Sequence, residues 1–268
     1  MFRWCSYCQS FMGESEPRDN FTLTHGVCAK CRPKVRTITQ QELEGVMPIK
    51  LFFNELQSSI LSLQKFDKSK IMAEANRLNI NAADLLAGVM QPLLYEIGKM
   101  YQEGKIPAVQ EHKFSMMIKE LIRDIRMELT ASIPEKQQTE VLLACANGNF
   151  HEFGISLLEL HLKKAGVSVE SLYPGLPPDQ LVAYAKQLNV KVVGLSVSME
   201  NQLAEVEEVA RLFNESKGPR PYVIVGGFVI RSTTPPIDGA TLFSGSIEEL
   251  VRWVVEHLKD QHLESTAG

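Results

Sequence analysis

Residues 138–262 alternate between short apolar runs and amphipathic segments, and this alternation limits the possible folds more than any other feature of the sequence. The apolar runs predict five strands, at residues 141–146, 167–173, 190–198, 221–227 and 240–245. The intervening segments predict helices, at about residues 152–165, 178–188, 201–216 and 246–259. Near-continuous apolar strands that alternate with helices are typical of a parallel sheet covered on both faces. We therefore predict an α/β, flavodoxin-like domain with a five-stranded parallel sheet, whose ligands bind beyond the carboxyl ends of the strands.

Residues 47–135 carry helical periodicity and predict a four-helix bundle that precedes the sheet domain. The first two helices are expected at about residues 50–64 and 69–78, followed by two longer ones. In the third helix Asn81 is a candidate N-terminal cap and Gly104 a stop signal, and Pro107 starts the fourth. The polar, proline-containing stretch 133–140 is the predicted linker.

Two C-x2-C pairs lie near the N-terminus. They contain four of the chain's five cysteines, namely Cys5, Cys8, Cys28 and Cys31. Four thiolates in two close pairs suit the tetrahedral coordination of Zn²⁺, so residues 1–36 predict a zinc ribbon-like module. A segment this short cannot bury a core of its own, and a bound metal would supply its folding energy. Two disulfides, or four free thiols, are the alternatives.

The composition is that of a globular chain, with 44 % hydrophobic and 22 % charged residues over 268 positions. The formal net charge of −4 provides no overall basic field for nucleic acid. The N-terminus lacks a signal-peptide core, and no apolar run approaches the roughly 20 residues that span a bilayer. We therefore expect a cytoplasmic protein without a membrane partner.

Polar residues and glycines follow three of the predicted strands. His151 follows the first strand in "NFHEFG", Ser196 and Ser198 end the third strand, and Gly226 and Gly227 end the fourth. The carboxyl ends of parallel strands meet at one edge of a sheet, so we expect these three loops to form one site. A lone histidine after a strand is more often structural or solvated than a ligand, but this convergence favours a ligand.

These motifs resemble the cobalamin-binding domain of methionine synthases, corrinoid methyltransferase proteins and light-responsive cobalamin-dependent repressors. That family carries D-x-H-x-x-G, then S-x-L, then G-G. The matching residues here are Asn149, His151, Gly154, Ser196, Ser198, Gly226 and Gly227. Farther on, "GATLFSGSIEEL" is similar to the closing strand, loop and helix of the family.

The helical segment resembles the cap of the same family. In the sensor branch of the family a Trp is followed by Glu-His, and these residues lie over the upper face of the corrin. Tyr101, Glu111 and His112 take those positions in this chain. The alternatives are a solvated helix face for Glu111 and His112, and a place in the bundle core for Tyr101.

The resemblance implies cobalamin bound base-off, with His151 as the lower axial ligand of cobalt and the helical bundle over the upper ligand. It also implies a slot for the displaced nucleotide tail, lined by Gly154, Ser196, Gly226, Gly227, Ser244 and Gly245. In the family an Asp accepts a hydrogen bond from the histidine. Asn149 replaces it without a negative charge, which favours sensing over methyl transfer. Ser198 replaces Leu, and its hydroxyl can still line the slot for the nucleotide tail. Tyr101 replaces Trp with a smaller ring, which leaves selectivity for an adenosyl upper ligand open.

The predicted function is a cobalamin-binding sensor or regulatory protein without catalytic residues of its own. It would be light-responsive if it held an alkylcobalamin, and it would signal to a transcription factor or another signalling protein through the zinc ribbon. The alternatives are a corrinoid carrier subunit of a methyltransferase system, and a sensor that binds haem or another tetrapyrrole. The form of cobalamin, direct DNA binding and assembly into a homo-oligomer stay open.

Overall fold

A computed structural model describes residues 1–34, 46–62, 67–130, 138–149, 151–231 and 236–266, the last range without the side chains of 260–266. The chain divides into two compact units, Met1–Ile125 and Arg126–Gly268. Most of the predicted linker at 133–140 lies outside the described residues. The same is true of the last residues of the 1–36 module and of the first predicted helix.

The first unit begins with a small sheet of strand order β2-β1-β3. Its strands are β1 (Phe2–Cys5), β2 (Phe11–Glu14) and β3 (Leu23–Gly26). β1 is antiparallel to β2 and parallel to β3. Phe2 and Trp4 alternate along β1, and both are completely buried.

The helices of the first unit lie close to their predicted positions. They are α1 (Met47–Leu61), α2 (Lys68–Arg77), α3 (Ala82–Leu85), a π-helical turn (Leu86–Met90), α4 (Gln91–Gln102) and α5 (Ala108–Thr130). The cap prediction is confirmed, because the Asn81 side chain accepts a hydrogen bond from the Asp84 backbone N–H at 3.0 Å. Gly104, at φ +70°, follows α4 in the left-handed conformation that glycine favours. The interruption of the third predicted helix by a π-helical turn was not predicted by the periodicity.

The second unit is built on a five-stranded parallel sheet, as predicted. Its strands are β4 (Val141–Cys145), β5 (Val169–Leu172), β6 (Val192–Ser196), β7 (Tyr222–Gly226) and β8 (Thr241–Leu242). Its helices are α6 (Phe153–Lys164), α7 (Pro178–Leu188), α8 (Leu203–Glu215) and α9 (Ile247–Thr266). The order in space is β5-β4-β6-β7-β8, which is the flavodoxin-like order.

Both faces of this sheet are covered by helices. Along β4, Leu142 and Ala144 belong to a core cluster that also contains residues of α7 and α8. Val141, Leu143 and Cys145 belong to a second cluster with residues of α6 and α9. Successive side chains point to opposite faces, so a strand between two helical layers must be apolar at every position. Cys145 is a buried core residue, as expected from its place inside the strand.

Glu159, in α6, forms two ion pairs within the second unit. Glu159 is only 5 % exposed, and its carboxylate oxygens lie 3.2 Å from Arg126 Nη1 and 2.6 Å from Lys163 Nζ. The two cations therefore compensate a carboxylate that burial alone would disfavour. Among the described residues, no helix combines the length and the apolar character needed to cross a membrane.

Candidate functional site

The structure brings the three predicted loops together at the carboxyl edge of the sheet. Cys145, Ser196 and Gly226, the last residues of β4, β6 and β7, are register partners in neighbouring strands. Asn149 and His151 follow β4 closely. The parallel topology therefore positions the sequence motifs, and the side chains that follow each strand start from the same level of the sheet.

Asn149 is the polar centre of this edge. Its side chain is completely buried, and its Nδ2 group donates to Ser196 O at 3.0 Å and to Ser198 Oγ at 3.2 Å. Its Oδ1 accepts from the His151 backbone N–H at 2.9 Å and lies 2.9 Å from His151 Nδ1. A carbonyl oxygen only accepts, so Ser196 O fixes which end of the amide faces it.

The orientation of the Asn149 amide determines the tautomer of His151. Because Asn149 Oδ1 is an acceptor, His151 Nδ1 carries the hydrogen in this contact, and in the neutral imidazole the lone pair is then on Nε2. The His151 residue is exposed at the edge of the sheet. A neutral imidazole oriented by a hydrogen bond at its other nitrogen is the usual arrangement of a metal-ligating histidine.

Two residues that the sequence did not identify hold the loops of the site. Gln202 is buried, and its Oε1 accepts from the Ser198 and Met199 backbone N–H groups at 3.0 and 3.2 Å. Glu205 accepts from the Asn147 backbone N–H at 2.7 Å. Burial raises the pKa of Glu205, although this hydrogen bond opposes the shift. Both side chains act on backbone groups, for which the sequence carries no residue-specific signal.

The glycines of the site differ in what a side chain would meet. A Cβ at Gly227, where φ is +118°, would overlap Val197 O and lie 2.8 Å from Val197 N. A Cβ at Gly154 would lie 3.8 Å from Ser196 Oγ, and one at Gly226 would lie 3.7 Å from Phe243 O. Glycine is therefore required by backbone packing at Gly227. At Gly154 and Gly226 the protein itself leaves room for a methyl group.

Ser244 and Gly245 lie between β8 and α9. Ser244 is exposed, and a Cβ at Gly245 would come within 2.6 Å of Glu249 Oε2 and 2.7 Å of Phe243 Cζ. β7 pairs with β8, so this loop leaves the strand next to the one that ends at Gly226. The two residues thus belong to the same edge of the sheet.

The predicted upper-face residues belong to the first unit. Tyr101, in the last turn of α4, is 44 % exposed, so its alternative place in the bundle core is wrong. Glu111 accepts from Ser115 Oγ at 2.6 Å and lies 3.1 Å from His112 Nδ1. His112 Nδ1 also lies 2.8 Å from Ala108 O, and its side chain is 70 % exposed.

The four N-terminal cysteines form a cluster. The sulfur atoms of Cys5, Cys8, Cys28 and Cys31 all lie within 4.8 Å of one another. Tetrahedral Zn²⁺ with Zn–S bonds of about 2.3 Å places its sulfur ligands about 3.8 Å apart, so this donor set fits a zinc ion.

Hydrogen bonds within the cluster affect its thiols unequally. The Cys28 backbone N–H donates to Cys5 Sγ at 3.4 Å, and the sulfur atoms of Cys8 and Cys28 are 3.6 Å apart. Burial acts to raise the pKa of Cys8, but hydrogen bonds with Ser10, Cys5 and Cys28 lower it to about 6. Burial and the neighbouring sulfur atoms raise the pKa of Cys31 to about 12. These shifts favour a thiolate at Cys8 and a protonated thiol at Cys31, whose proton a metal ion would displace.

Family models match both segments that the sequence motifs single out. A model described as B12 binding domain matches residues 139–235, and a second B12 binding domain model matches residues 54–124. Together the two matches include the helical segment and the strands and loops that carry Asn149, His151, Ser196 and Gly226.

Curated relatives fall into two groups. The HTH-type transcriptional repressor CarA of Myxococcus xanthus is 28 % identical over 195 residues, which are 72 % of this chain and 64 % of the repressor. The HTH-type transcriptional repressor CarH of the same organism is 25 % identical, over 66 % of this chain and 58 % of the repressor. Dimethylamine corrinoid protein 2 of Methanosarcina mazei is 24 % identical over 74 % of this chain and 92 % of the corrinoid protein. The chain thus spans less than two thirds of the repressors.

Two solved structures are similar at low sequence identity. A cobalamin-binding protein from Desulfitobacterium hafniense aligns with a TM-score of 0.37 at 17 % identity, over 76 % of this chain and 98 % of that protein. The methanol:cobalamin methyltransferase complex MtaBC from Methanosarcina barkeri aligns with a TM-score of 0.41 at 13 % identity, over 87 % of this chain and 90 % of that chain.

Proposed function

We propose that this cobalamin-binding protein, with B12 binding domains over residues 54–124 and 139–235, is a sensor that holds cobalamin base-off through His151. The observation that carries the proposal is the buried Asn149 amide, which leaves the lone pair of His151 on Nε2. Bound cobalamin supplies an upper ligand that can be exchanged and a cobalt–carbon bond that light can break.

The residues at the sheet edge fit this cofactor. An imidazole nitrogen is a suitable ligand for cobalt, and the exposure of His151 makes it accessible. A methyl group would fit beside Gly154 and beside Gly226 without displacing any atom of the protein. This unfilled space supports a slot for the nucleotide tail. We assign Ser196, Ser244 and Gly245 and the backbone at Gly227 to the same slot.

Asn149 supports a sensor more than a methyl carrier. Both hydrogens of its Nδ2 group are already bonded to Ser196 O and Ser198 Oγ, and an amide has no ionisable proton. It therefore cannot release or take up a proton when the bond between His151 and the cobalt changes. A carboxylate at this position could adjust the basicity of the histidine, which would benefit methyl-transfer chemistry.

The other parts of the proposal concern the upper face, the metal and the output. We assign Tyr101, Glu111 and His112 to the upper ligand, because they occupy the matching positions of the cap motif. The sulfur cluster would bind one Zn²⁺. The likeness to two transcriptional repressors supports a role in transcriptional regulation, and we propose a transcription factor or another signalling protein as the partner.

A second candidate function is a corrinoid carrier for a partner methyltransferase. One observation favours it: the chain spans 92 % of dimethylamine corrinoid protein 2, but only 64 % of the repressor CarA. The part shared with both relatives is thus nearly a whole carrier and only part of a repressor.

Absorption spectra test the proposal. Purified chain is mixed in the dark with adenosyl-, methyl- or hydroxocobalamin, desalted and then illuminated. His151→Ala should lose the spectrum of histidine-ligated corrin, whereas His161→Ala should keep it. His161 is a matched control because it lies inside α6, with Nδ1 2.8 Å from Leu157 O.

The outcomes separate the candidate functions. A light-driven spectral change coupled to a change in protein size or shape supports the sensor. A methyl form that gives no such change, but loses its methyl group to a partner methyltransferase, supports the carrier. Wild-type chain that retains no cobalamin but retains haem supports a haem sensor instead.

A further inference from the structure

The Cys-rich module packs tightly against the interrupted helix of the first unit. Trp4 is completely buried, and its Nε1–H donates to Gly88 O at 3.3 Å. Gly88 lies in the π-helical turn Leu86–Met90. A Cβ at Gly88 would overlap Trp4 Cζ2 and lie 2.8 Å from Phe11 Cδ2. The wider turn and the missing side chain together make the space that the indole ring fills.

Polar contacts hold the module on both sides of this turn. Before the turn, Asp84 Oδ2 accepts from the Phe11 backbone N–H at 3.0 Å. After the turn, the buried Gln91 side chain donates from Nε2 to Glu14 Oε1 at 3.2 Å. Phe11 and Glu14 are the two ends of β2, so this strand spans the π-helical turn. These two hydrogen bonds favour the observed placement of β2, because breaking either one without a replacement costs free energy.

The same strand that carries Trp4 ends at one of the four clustered cysteines. Cys5 follows Trp4 directly in β1, and Cys5 is also completely buried. Its sulfur accepts from the Cys28 backbone N–H at 3.4 Å, which links β1 to the second cysteine pair. A metal ion bound to all four sulfur atoms would therefore fix the position of β1. A module this small has too little core to hold that position without the ion.

We propose that the Cys-rich module is a metal-dependent brace of the helical segment. The bound metal ion fixes β1 through Cys5, β1 holds Trp4 in the π-helical turn, and metal occupancy thereby sets the conformation of residues 82–102. This inference rests on the proposed zinc site. Because the braced segment includes Tyr101, the metal would act on the helix to which we assign an upper-face residue. The module then acts on its own chain, in addition to any role as a docking element.

Hydrogen exchange measured by mass spectrometry tests the brace in the full chain without cobalamin. The zinc-loaded chain is compared with chain made metal-free by a chelator under reducing conditions, and the zinc content of both is measured. Metal removal should reduce the protection of residues 82–102 by about tenfold or more, and zinc should restore it. The exchange of peptides from β4 in the second unit should not change.

Two results of this comparison would overturn the brace, and they are distinguishable. If the chain binds zinc, and metal removal exposes residues 1–34 but leaves the exchange of residues 82–102 unchanged, the brace alone is wrong. If the reduced chain binds no zinc, the proposed zinc site and the brace are both wrong. Neither result depends on whether the chain binds cobalamin.

Two glycines of the same helical stretch provide a matched pair of variants. Gly88→Ala should displace the Trp4 side chain even in the zinc-loaded chain, and it should therefore reduce the protection of residues 82–102. Gly98→Ala should leave that protection unchanged or increase it, because a Cβ at Gly98 has no neighbour within 4 Å. Should Gly88→Ala fail to fold, Trp4→Phe replaces it as the test variant, because it removes only the N–H donor and part of the ring. Trp4→Phe should also reduce the protection of residues 82–102. Unchanged exchange in the folded variants at Gly88 and Trp4 would overturn the brace.

Discussion

The Oδ1 atom of Asn149 lies 2.9 Å from Nδ1 of His151, while the other end of the same amide donates to Ser196 O at 3.0 Å. The amide is buried and cannot reverse without placing its oxygen against a carbonyl oxygen. An ionised Asp side chain at position 149 would place a carboxylate oxygen against Ser196 O in either orientation. The two acceptors around Asn149 Nδ2 thus suit an amide better than a carboxylate at this position.

Asn149→Asp should destabilise the chain at neutral pH by about 1–3 kcal/mol, because a buried donor is replaced by a carboxylate oxygen that faces Ser196 O. The loss should be smaller in acid, where a protonated carboxyl regains a donor. Urea unfolding at pH 7.5 and pH 5 measures both effects. Asn201→Asp is the control, since Asn201 is exposed near the same edge. Equal unfolding free energies for the two variants at pH 7.5 would contradict the assigned amide orientation.

Ser198→Ala should cost about 1 kcal/mol of unfolding free energy, because it removes one of the two acceptors of Asn149 Nδ2. The His151 tautomer should not change, since Ser196 O still orients the amide. The nitrogen chemical shifts of the His151 ring report the tautomer directly. A variant in which the hydrogen moves from Nδ1 to Nε2 would show that Ser198, and not Ser196, controls the amide.

Gly154→Ala should leave stability unchanged or slightly raised, because its Cβ would be 3.8 Å from the nearest atom and the site is in a helix. Cobalamin affinity should nevertheless fall by tenfold or more, about 1.4 kcal/mol, if the nucleotide tail occupies that space. Equilibrium dialysis with hydroxocobalamin measures the affinity. Wild-type affinity in this variant would remove Gly154 from the slot.

Gly227→Ala, unlike Gly154→Ala, should destabilise the chain. Its Cβ would overlap the Val197 backbone, and φ is +118°, so we expect a loss of at least about 2 kcal/mol in unfolding free energy. Thermal or urea unfolding without cofactor measures this loss. A stable Gly227→Ala chain would mean that the end of β7 can move away from β6 at little cost.

Loss of Arg126 and loss of the Glu159 charge should have unequal effects on the unfolding free energy. Arg126→Met should cost more than Glu159→Gln, because it leaves a carboxylate that is only 5 % exposed with Lys163 as its remaining cation in this ion pair. Glu159→Gln leaves two cations that are already partly solvated. We expect about 1–3 kcal/mol for the first change and less than about 1 kcal/mol for the second. The double variant completes a cycle, and fully additive losses would show that the pair is not coupled.

The sheet domain could be predicted from the sequence because its strands are buried on both faces. Leu142 and Leu143 point in opposite directions and both are apolar, so the run itself distinguishes a covered parallel sheet from an open one. Once the sheet is parallel, the positions of His151, Ser196 and Gly226 follow from topology alone. Their convergence required no knowledge of side-chain contacts.

The contacts that hold the site and the brace could not be predicted in the same way. Gln202 and Glu205 bind backbone N–H groups, which every residue except proline offers. Trp4 and Gly88 are 84 positions apart and belong to elements with no shared periodicity. One signal was present: a glycine inside an apolar helix costs about 1 kcal/mol, so Gly88 needed a packing reason.

The burial of Cys145 gives the second unit a chemical reporter. Its thiol is inaccessible in the folded sheet, and it lies 3.7 Å from His151 O, beneath the loop of the candidate ligand. A metal ion would protect the four N-terminal sulfur atoms from a thiol-reactive dye, so that Cys145 is the one remaining cysteine. The dye would label Cys145 slowly, and only when the sheet edge opens. The labelling rate would then measure how often the loop separates from its strand, and a cofactor that bridges the edge should slow it.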